Sequence, residues 1–335
     1  MSRQPVMRFP VLARPDNDEI TTKRSSHIAR HPAQCRADLE AGDILASRYQ
    51  LVECIAKGGM GDVHRARDLL LEREVAIKLM KPLCLGEPNA AARCEREAHA
   101  MAALDSPFLP PIYDLGYQGV HIFLVMRYIA APPLSAIITQ EGPLSSMRVA
   151  RIACNVLDAL AHMHSRQFIH RDVKPANVLV DRYDHATLVD LGIVLDTSAS
   201  SLTSRGYALG TPAYMSPEQR YGRPLDERSD LYSVGITLMY ALTGRLTRNS
   251  SPERNHAEQA GELMAPWDRI IGQAVHGDVE ERFRSAEGMK RAIVRAMDEA
   301  EHGDRTGQSR LDSGGTGQPG GRWRVRALRA VPGMH

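Results

Sequence analysis

The stretch that decides the fold is His-Arg-Asp-Val-Lys-Pro-Ala-Asn at residues 170–177, followed by Val-Asp-Leu-Gly at residues 189–192. Asp172 can accept a proton from an attacking hydroxyl group. Asn177 and Asp190 offer the hard oxygen ligands that Mg²⁺ prefers. The pattern therefore indicates phosphoryl transfer from a nucleoside triphosphate. The alternative is an ordinary polar loop between two strands.

Further motifs stand before and after this stretch in a fixed order. A glycine-rich turn, Ile-Ala-Lys-Gly-Gly-Met-Gly-Asp-Val, occupies residues 55–63, and Val-Ala-Ile-Lys occupies residues 75–78. Gly-Thr-Pro-Ala-Tyr-Met-Ser-Pro-Glu-Gln occupies residues 210–219. Over about residues 45–298 the chain resembles the protein kinase family, and these motifs resemble its bacterial, eukaryotic-like Ser/Thr branch. A lone glycine-rich turn would be a weak signal, whereas ordered motifs together are specific.

The resemblance implies an α+β protein kinase fold of two lobes, a small β-rich N-lobe at residues 44–128 and a larger helical C-lobe at residues 129–298. Residues 1–43 lack a sustained hydrophobic period and are expected to form a disordered arm. Residues 299–335 are expected to form a flexible tail rich in glycine and arginine. The arginine-rich end of this tail has three interpretations: a solvated segment, a docking strand or pseudosubstrate, and a weak nucleic-acid or membrane contact.

Local patterns predict elements of both lobes. Residues 49–55 alternate imperfectly and predict a strand that leads into the glycine-rich turn, and residues 93–104 have helical character. Ser145 or Ser146 is predicted to cap a helix. Residues 230–243 are apolar nearly all round and stop at a glycine, which predicts a buried central helix.

The resemblance also implies the roles of the charged residues. Lys78 is expected to bind the α- and β-phosphates of ATP. Glu97 is expected to orient this lysine, with Glu95 as the neighbouring alternative and a plain surface glutamate as the other interpretation. Asp172 is the expected catalytic base, and Lys174 is expected to reach the γ-phosphate. The implied cofactors are ATP and Mg²⁺, with the metal held by Asn177 and Asp190.

The residues expected to bind the nucleotide come from the glycine-rich turn, the strands and the segment between the lobes. Glycines let backbone N–H groups approach phosphates closely because they have no Cβ. Apolar side chains are expected to sandwich the adenine, and simple core packing is the alternative role for each of them. The candidates are Ile55, Ala56, Lys57, Gly58, Gly59, Met60, Gly61, Val63, Ala76, Lys78, Met126, Arg127, Ile129 and Leu179.

Several positions depart from the family's pattern. Ala56 stands where the family has its first glycine, which bears on loop flexibility and not on the fold. Arg127 replaces an acidic residue beside the gatekeeper Met126, with little expected effect because the backbone reads adenine there. Leu191 replaces a phenylalanine and can fill the same apolar position. Residues 246–266 are shorter than is usual for the family, which bears on the docking of protein substrates.

One aspartate and one ion pair are expected to stabilise the C-lobe. Asp230 resembles the family's anchor for the catalytic loop, and Arg282 resembles the arginine that pairs with Glu218. The alternative for such a pair is a surface contact worth only about 0–1 kcal/mol. His162 and His164 are expected to be surface or packing residues of their helix and not metal ligands.

The segment after Asp190 is expected to be a site of autophosphorylation. Residues 197–204 supply six hydroxyl groups. A phosphate there would place about −1.5 to −2 charges near Arg171. A Ser-rich mobile loop without a regulatory role is the alternative. The candidate phosphorylation sites are Thr203, Ser204, Ser201 and Thr197.

Composition restricts the function classes. The 335 residues carry a formal net charge of +2, with basic ends and a mildly acidic middle. No run approaches the roughly 18 apolar residues of a membrane span, and the N-terminus does not resemble a secretory signal. The five cysteines are unclustered, which favours reduced thiols over disulfides or a zinc site. We therefore expect a cytoplasmic enzyme whose partners are ATP and protein substrates.

Three other functions compete with that of a protein Ser/Thr kinase. A pseudokinase scaffold that binds nucleotide is the runner-up, although such scaffolds usually lose the lysine, aspartate or asparagine that this chain keeps. The long segment at residues 193–215 argues against a small-molecule phosphotransferase of kinase-like fold. A nucleic-acid-binding protein has only the short arginine patch of the tail in its favour. The sequence is compatible with dimerisation.

Overall fold

The computed structural model describes residues 39–58, 61–80, 90–118, 121–190, 212–246 and 265–311, without the side chains of residues 90–94, 97 and 300–311. Several predictions lie outside this part of the chain. They concern Gly59, Met60, the side chain of Glu97, Leu191, the hydroxyl groups of residues 197–204, the arm up to residue 38 and the arginine-rich end.

The N-lobe is built on an antiparallel sheet of six strands in the order β1-β2-β3-β4-β6-β5. A helix, α1, follows β4 in the chain. The elements are β1 (Ile44–Leu45), β2 (Tyr49–Lys57), β3 (Gly61–Asp68), β4 (Arg73–Met80), α1 (Ala90–Ala102), β5 (Ile112–Gln118) and β6 (His121–Arg127). The predicted strand at residues 49–55 is confirmed as part of β2, and the predicted helix at residues 93–104 is confirmed over residues 93–102 of α1.

The central strand β4 determines which side chains face the C-lobe. Alternate residues of a strand point to opposite faces of the sheet. Val75 and Ile77 are fully buried in an outer cluster of the N-lobe. Ala76 and Met80 belong to the main core, which continues into the helices of the C-lobe. Lys78 lies between these two residues in the alternation, so its side chain is on the inner face.

The C-lobe is mostly helical and adds one short hairpin. Its elements are α2 (Leu134–Glu141), α3 (Ser146–His164), β7 (Val178–Val180), β8 (Ala186–Leu188), α4 (Pro217–Arg220), α5 (Glu227–Thr243), α6 (Trp267–Ala274) and α7 (Ala286–Leu311). Ser145 is the residue that caps α3, since its side chain accepts a hydrogen bond from the Arg148 N–H. This confirms the first of the two predicted caps.

Helix α5 is the predicted buried centre of the C-lobe. It begins three residues before the predicted start, because Asp226 accepts a hydrogen bond from the Arg228 N–H at 2.8 Å and caps the helix. It ends at Gly244, whose φ of +65° is the left-handed conformation that glycine adopts without steric cost. Eleven consecutive residues, 229–239, are buried, so the helix packs on all sides.

The described structure extends beyond the predicted domain boundaries at residues 44 and 298. Leu39 packs against the outer cluster of the N-lobe, and the Asp43 carbonyl accepts a hydrogen bond from Leu51 at 2.9 Å. At the other end, α7 continues to Leu311, beyond the predicted boundary at residue 298. Residues 298–302 are mainly strong helix formers, which explains the extension. The domain limits themselves stay a prediction.

Two further observations concern the described residues alone. None of their helices has the length and apolar character that crossing a bilayer requires. Cys54 and Cys154, the cysteines whose side chains are described, are free thiols.

Candidate active site

The catalytic loop is attached to helix α5 through the carboxylate of Asp230. One carboxylate oxygen accepts the backbone N–H of His170 and the other accepts the backbone N–H of Arg171, both at 2.8 Å. The His164 ring also donates to this carboxylate at 2.8 Å. Asp230 is 1% exposed. Burial alone would raise its pKa, but the hydrogen bond and charge of His164 and the backbone donor of His170 outweigh burial and lower it, so the carboxylate is ionised.

The anchored loop contains a residue in an uncommon backbone conformation. Arg171 has a φ of +65°, a left-handed conformation that costs an L-residue about 1–2 kcal/mol. Gln219 donates from its side chain to the Arg171 carbonyl oxygen at 2.8 Å. Asp230 and Gln219 therefore hold the backbone of Arg171 from both sides and fix the direction in which the next residue, Asp172, projects.

Asp172 is surrounded by the other polar residues of the loop. The Lys174 ammonium lies 2.7 Å from Oδ2 of Asp172. The Asn177 side-chain amide donates to the same oxygen at 3.0 Å and to the Asp172 carbonyl at 2.8 Å. Asn177 sits in a single 3-10 turn, Pro175–Asn177, at the entry to β7. The structure thus brings three of the predicted site residues into direct contact.

The second predicted metal residue, Asp190, pairs with the lysine of the N-lobe. Lys78 is 4% exposed, and its ammonium forms an ion pair and hydrogen bond with Oδ1 of Asp190. Burial would raise the pKa of Asp190, but the charge and hydrogen bond of Lys78 outweigh burial and lower it. The result is a carboxylate that is ionised at neutral pH, which suits a divalent cation.

Backbone hydrogen bonds connect the two predicted metal residues. The Asn177 carbonyl accepts the Val189 N–H at 2.9 Å, and the His170 ring donates to the Val189 carbonyl at 3.1 Å. Asp190 follows Val189 with a φ of +65°. The hairpin formed by β7 and β8 therefore carries Asp190 to the catalytic loop.

The predicted adenine-binding residues lie around the inner face of the N-lobe sheet. Val63 pairs with Lys78 across β3 and β4, and Ala76 pairs with Met126 across β4 and β6. Leu179 of the C-lobe bridges to Pro133, just after the segment that joins the lobes. Arg127 and Ile55 are exposed at the edges of this region, and Ile129 is half-buried. Their contacts to a nucleotide stay predictions.

The glycine-rich turn shows why Ala56 is tolerated. Ala56 lies within β2, pairs with Val63 after a bulge at Cys54, and does not have a positive φ. An alanine is therefore unstrained at this position. Gly61 is different, because a Cβ there would collide with the backbone oxygen of Leu79. Only glycine fits at residue 61, where β3 approaches β4.

A buried ion pair holds the segment that follows the active site. Arg282 donates to the two carboxylate oxygens of Glu218 at 2.7 and 2.9 Å, and Ser229 donates to the same carboxylate at 2.7 Å. The guanidinium carbon of Arg282 lies 4.8 Å from the centroid of the Tyr232 ring. The Arg282 side chain is fully buried. The structure therefore supports the expected pair and excludes the alternative of a surface contact.

Sequence reasoning missed two residues that position the catalytic loop. His164 is a buried packing residue, which is one of the two expected roles, but its bond to Asp230 was not predicted. Gln219 was also missed. A capping box in which Ser216 and Gln219 satisfy each other's backbone groups could have been predicted from their spacing. The contact of Gln219 with Arg171 could not have been predicted, because these two residues are far apart in the chain.

Comparisons with known proteins give the family. The family model "Protein kinase domain" matches residues 49–300. The serine/threonine-protein kinase PrkC of Bacillus subtilis is 33% identical over 269 residues, which cover 77% of this chain and 42% of PrkC. The serine/threonine-protein kinase pkn3 of Myxococcus xanthus is 34% identical over 284 residues, which cover 78% of this chain and 52% of pkn3. The chain spans about half the length of these curated relatives.

A solved structure agrees with the architecture. The PknI kinase domain of Mycobacterium tuberculosis matches with a TM-score of 0.62 at 23% identity, covering 77% of this chain and 100% of that domain. The chain belongs to the protein kinase domain family. The predicted two-lobed fold, with a β-rich N-lobe and a helical C-lobe, is confirmed.

The anchor at Asp230 leads to a prediction about stability. Replacing Asp230 with asparagine turns one acceptor oxygen into an N–H donor, so one backbone N–H of the loop loses its partner. We expect the free energy of unfolding to fall by about 1–3 kcal/mol in urea denaturation. Asp226→Asn is the control, because asparagine caps a helix as well as aspartate does. Equal denaturation midpoints for the two variants would contradict the anchoring role.

Proposed function

We propose that this chain is a protein Ser/Thr kinase that transfers the γ-phosphoryl group of ATP to hydroxyl groups of proteins. The observation that carries the proposal is the contact network of the catalytic loop, in which Lys174 and Asn177 hold the carboxylate of Asp172. Beside it, Lys78 and Asp190 form a second charged pair. Protein kinases in general use ATP and Mg²⁺, and these charges have the types that phosphate and metal require.

Each residue has a distinct task in this proposal. Lys78 neutralises phosphate charge from the inner face of the sheet. Asn177 and Asp190 would hold Mg²⁺, which when bound stabilises the charge of the transferred group. Asp172 orients the acceptor hydroxyl and accepts its proton, while Lys174, which contacts that carboxylate, reaches the γ-phosphate. The pairing of Lys78 with Asp190 and the lowered pKa of Asp190 support this assignment.

The choice of Ser and Thr as acceptors rests on two supports. Lys174 stands two residues after Asp172, where the Ser/Thr branch of the family has a lysine. PrkC and pkn3 are both named serine/threonine-protein kinases. We extend the proposal to autophosphorylation at Thr203 and Ser204, with Ser201 and Thr197 as further acceptors.

The test is transfer of radiolabel from γ-labelled ATP to a generic protein substrate, with Mg²⁺ and with EDTA, followed by phosphoamino-acid analysis. We expect Mg²⁺-dependent label on serine and threonine. Nucleotide binding is measured in parallel. Binding without transfer would instead support the pseudokinase scaffold, and label confined to tyrosine would overturn the Ser/Thr assignment.

A further inference from the structure

A pair of arginine side chains beside the active site has no role in the chemistry described above. Arg220 ends helix α4, and Arg223 follows in the exposed turn after it. The guanidinium carbon of Arg223 lies 5.2 Å from the ring centroid of Tyr221, a residue that is 65% exposed. We call Arg220 and Arg223 the arginine rim.

Hydrogen bonds attach the arginine rim to the cleft that contains Asp172. Gln219, the residue before Arg220, donates to the carbonyl oxygen of Arg171 at 2.8 Å. Arg220 itself donates from Nη2 to the carbonyl oxygen of Pro212 at 2.8 Å. The small cleft at this point is lined by Arg171, Asp172, Val173, Tyr214, Met215 and Ser233. Arg220 is therefore bonded to the segment that leads into this lining, and it directly follows the residue that contacts the catalytic loop.

The charge of this border is positive. In residues 212–225, Arg220 and Arg223 are the basic residues and Glu218 is the acidic residue. Glu218 is held by Arg282 and so does not neutralise the rim. In the described ranges, neither Arg220 nor Arg223 forms an ion pair with a carboxylate. A partner that supplies carboxylates would complement this surface.

We infer that the arginine rim selects protein substrates whose acceptor Ser or Thr is flanked by acidic residues. The inference rests on the proposed kinase function and names the substrate class of the same site. Guanidinium groups bind carboxylates with two parallel hydrogen bonds, which favours glutamate or aspartate near the acceptor. Solvent-accessible ion pairs are weak singly, so the exposed Arg223 and the half-buried Arg220 together supply a preference of about ten-fold.

The test uses three peptides that share one threonine acceptor and differ in the residues on both sides of it, which are glutamate, glutamine or lysine. For the full chain, kcat/KM is expected to be about ten-fold higher with the glutamate peptide than with the glutamine peptide. Raising salt from about 0.05 M to about 0.3 M should reduce this ratio. In the double variant Arg220→Gln/Arg223→Gln the ratio should fall to about one.

A charge reversal separates recognition from a folding defect. Arg223→Glu should raise kcat/KM for the lysine peptide above the wild-type value, which a damaged enzyme cannot do. Arg182→Gln is the matched control, because Arg182 also stands over an exposed tyrosine, with 4.7 Å from its guanidinium carbon to the ring centroid of Tyr183. This control should keep the preference for glutamate.

Three outcomes would overturn the inference while leaving the kinase function intact. The first is a wild-type enzyme that uses the three peptides equally well. The second is a double variant that keeps the glutamate preference. The third is a double variant whose kcat/KM falls by the same factor on all three peptides. That result would indicate that the arginine rim binds the phosphorylated loop of the enzyme itself. Failure to label any peptide or generic protein would instead remove the kinase function on which the inference depends.

Discussion

Replacing Asp172 with asparagine is expected to lower kcat for phosphoryl transfer by roughly 10²–10⁴-fold. The amide has nearly the same shape as the carboxylate, but it cannot accept the proton of the incoming hydroxyl group. Lys174 and Asn177 hold this carboxylate at 2.7 and 3.0 Å, so an orienting frame remains in the variant. Steady-state rates at saturating ATP and protein substrate give kcat, and a nucleotide-binding assay shows whether the site is intact.

The matched control is Asp158→Asn. Asp158 is also an aspartate paired with a lysine, since Lys290 contacts its two oxygens at 2.6 and 2.8 Å, but the pair joins α3 to α7 outside the active site. Its kcat should stay within about two-fold of wild type. The assignment of Asp172 as the base fails if the two variants lose activity to a similar extent.

The second large effect concerns stability. Replacing Arg282 with alanine leaves the Glu218 carboxylate buried without its counter-ion, and we expect the free energy of unfolding to fall by about 3–5 kcal/mol. Arg228→Ala is the control, because Arg228 pairs with the more exposed Asp226 and Glu280 and should cost about 0–1 kcal/mol. Chemical denaturation of both variants measures the difference. A loss at Arg282 no larger than the control would show that burial does not strengthen the pair.

The same pair predicts a dependence of stability on pH. Burial acts to raise the pKa of Glu218, but the hydrogen bonds from Arg282 and Ser229 outweigh it and lower the pKa from 4.5 to about 2. A carboxyl group with a lower pKa in the folded state stabilises the fold above its unfolded pKa. The difference corresponds to about 3 kcal/mol, which is lost as pH falls from 4.5 toward about 2. Wild type should therefore lose more stability than Arg282→Ala over this range.

The contacts between site residues could be predicted where the residues belong to one short sequence motif. Asp172, Lys174 and Asn177 occupy one short motif, so their contact follows from the loop that the motif forms. The pairing of Lys78 with Asp190 was not predicted, because it depends on how a strand of one lobe approaches a loop of the other. Glu97 was the expected partner of this lysine, and its side chain lies outside the described residues.

Elements with strong periodicity or clear end signals were also predictable. The central helix α5 was found because its apolar residues continue around the helix and a glycine ends it. Its start was misjudged because Asp226, the true cap, follows a loop without periodic residues. The bond between His164 and Asp230 could not be inferred at all. It joins residues 66 positions apart, and only the packing of α3 against α5 creates it.

The left-handed backbone of Arg171 means that the chain gives up stability at the residue that precedes Asp172, the proposed base. Glycine at this position would adopt the same φ without steric cost. A glycine there would also remove the positive side chain that lines the acceptor cleft. Selection for a more thermostable protein would thus favour a substitution that removes this charge from the cleft, so backbone stability and the charge of the cleft make opposite demands on residue 171.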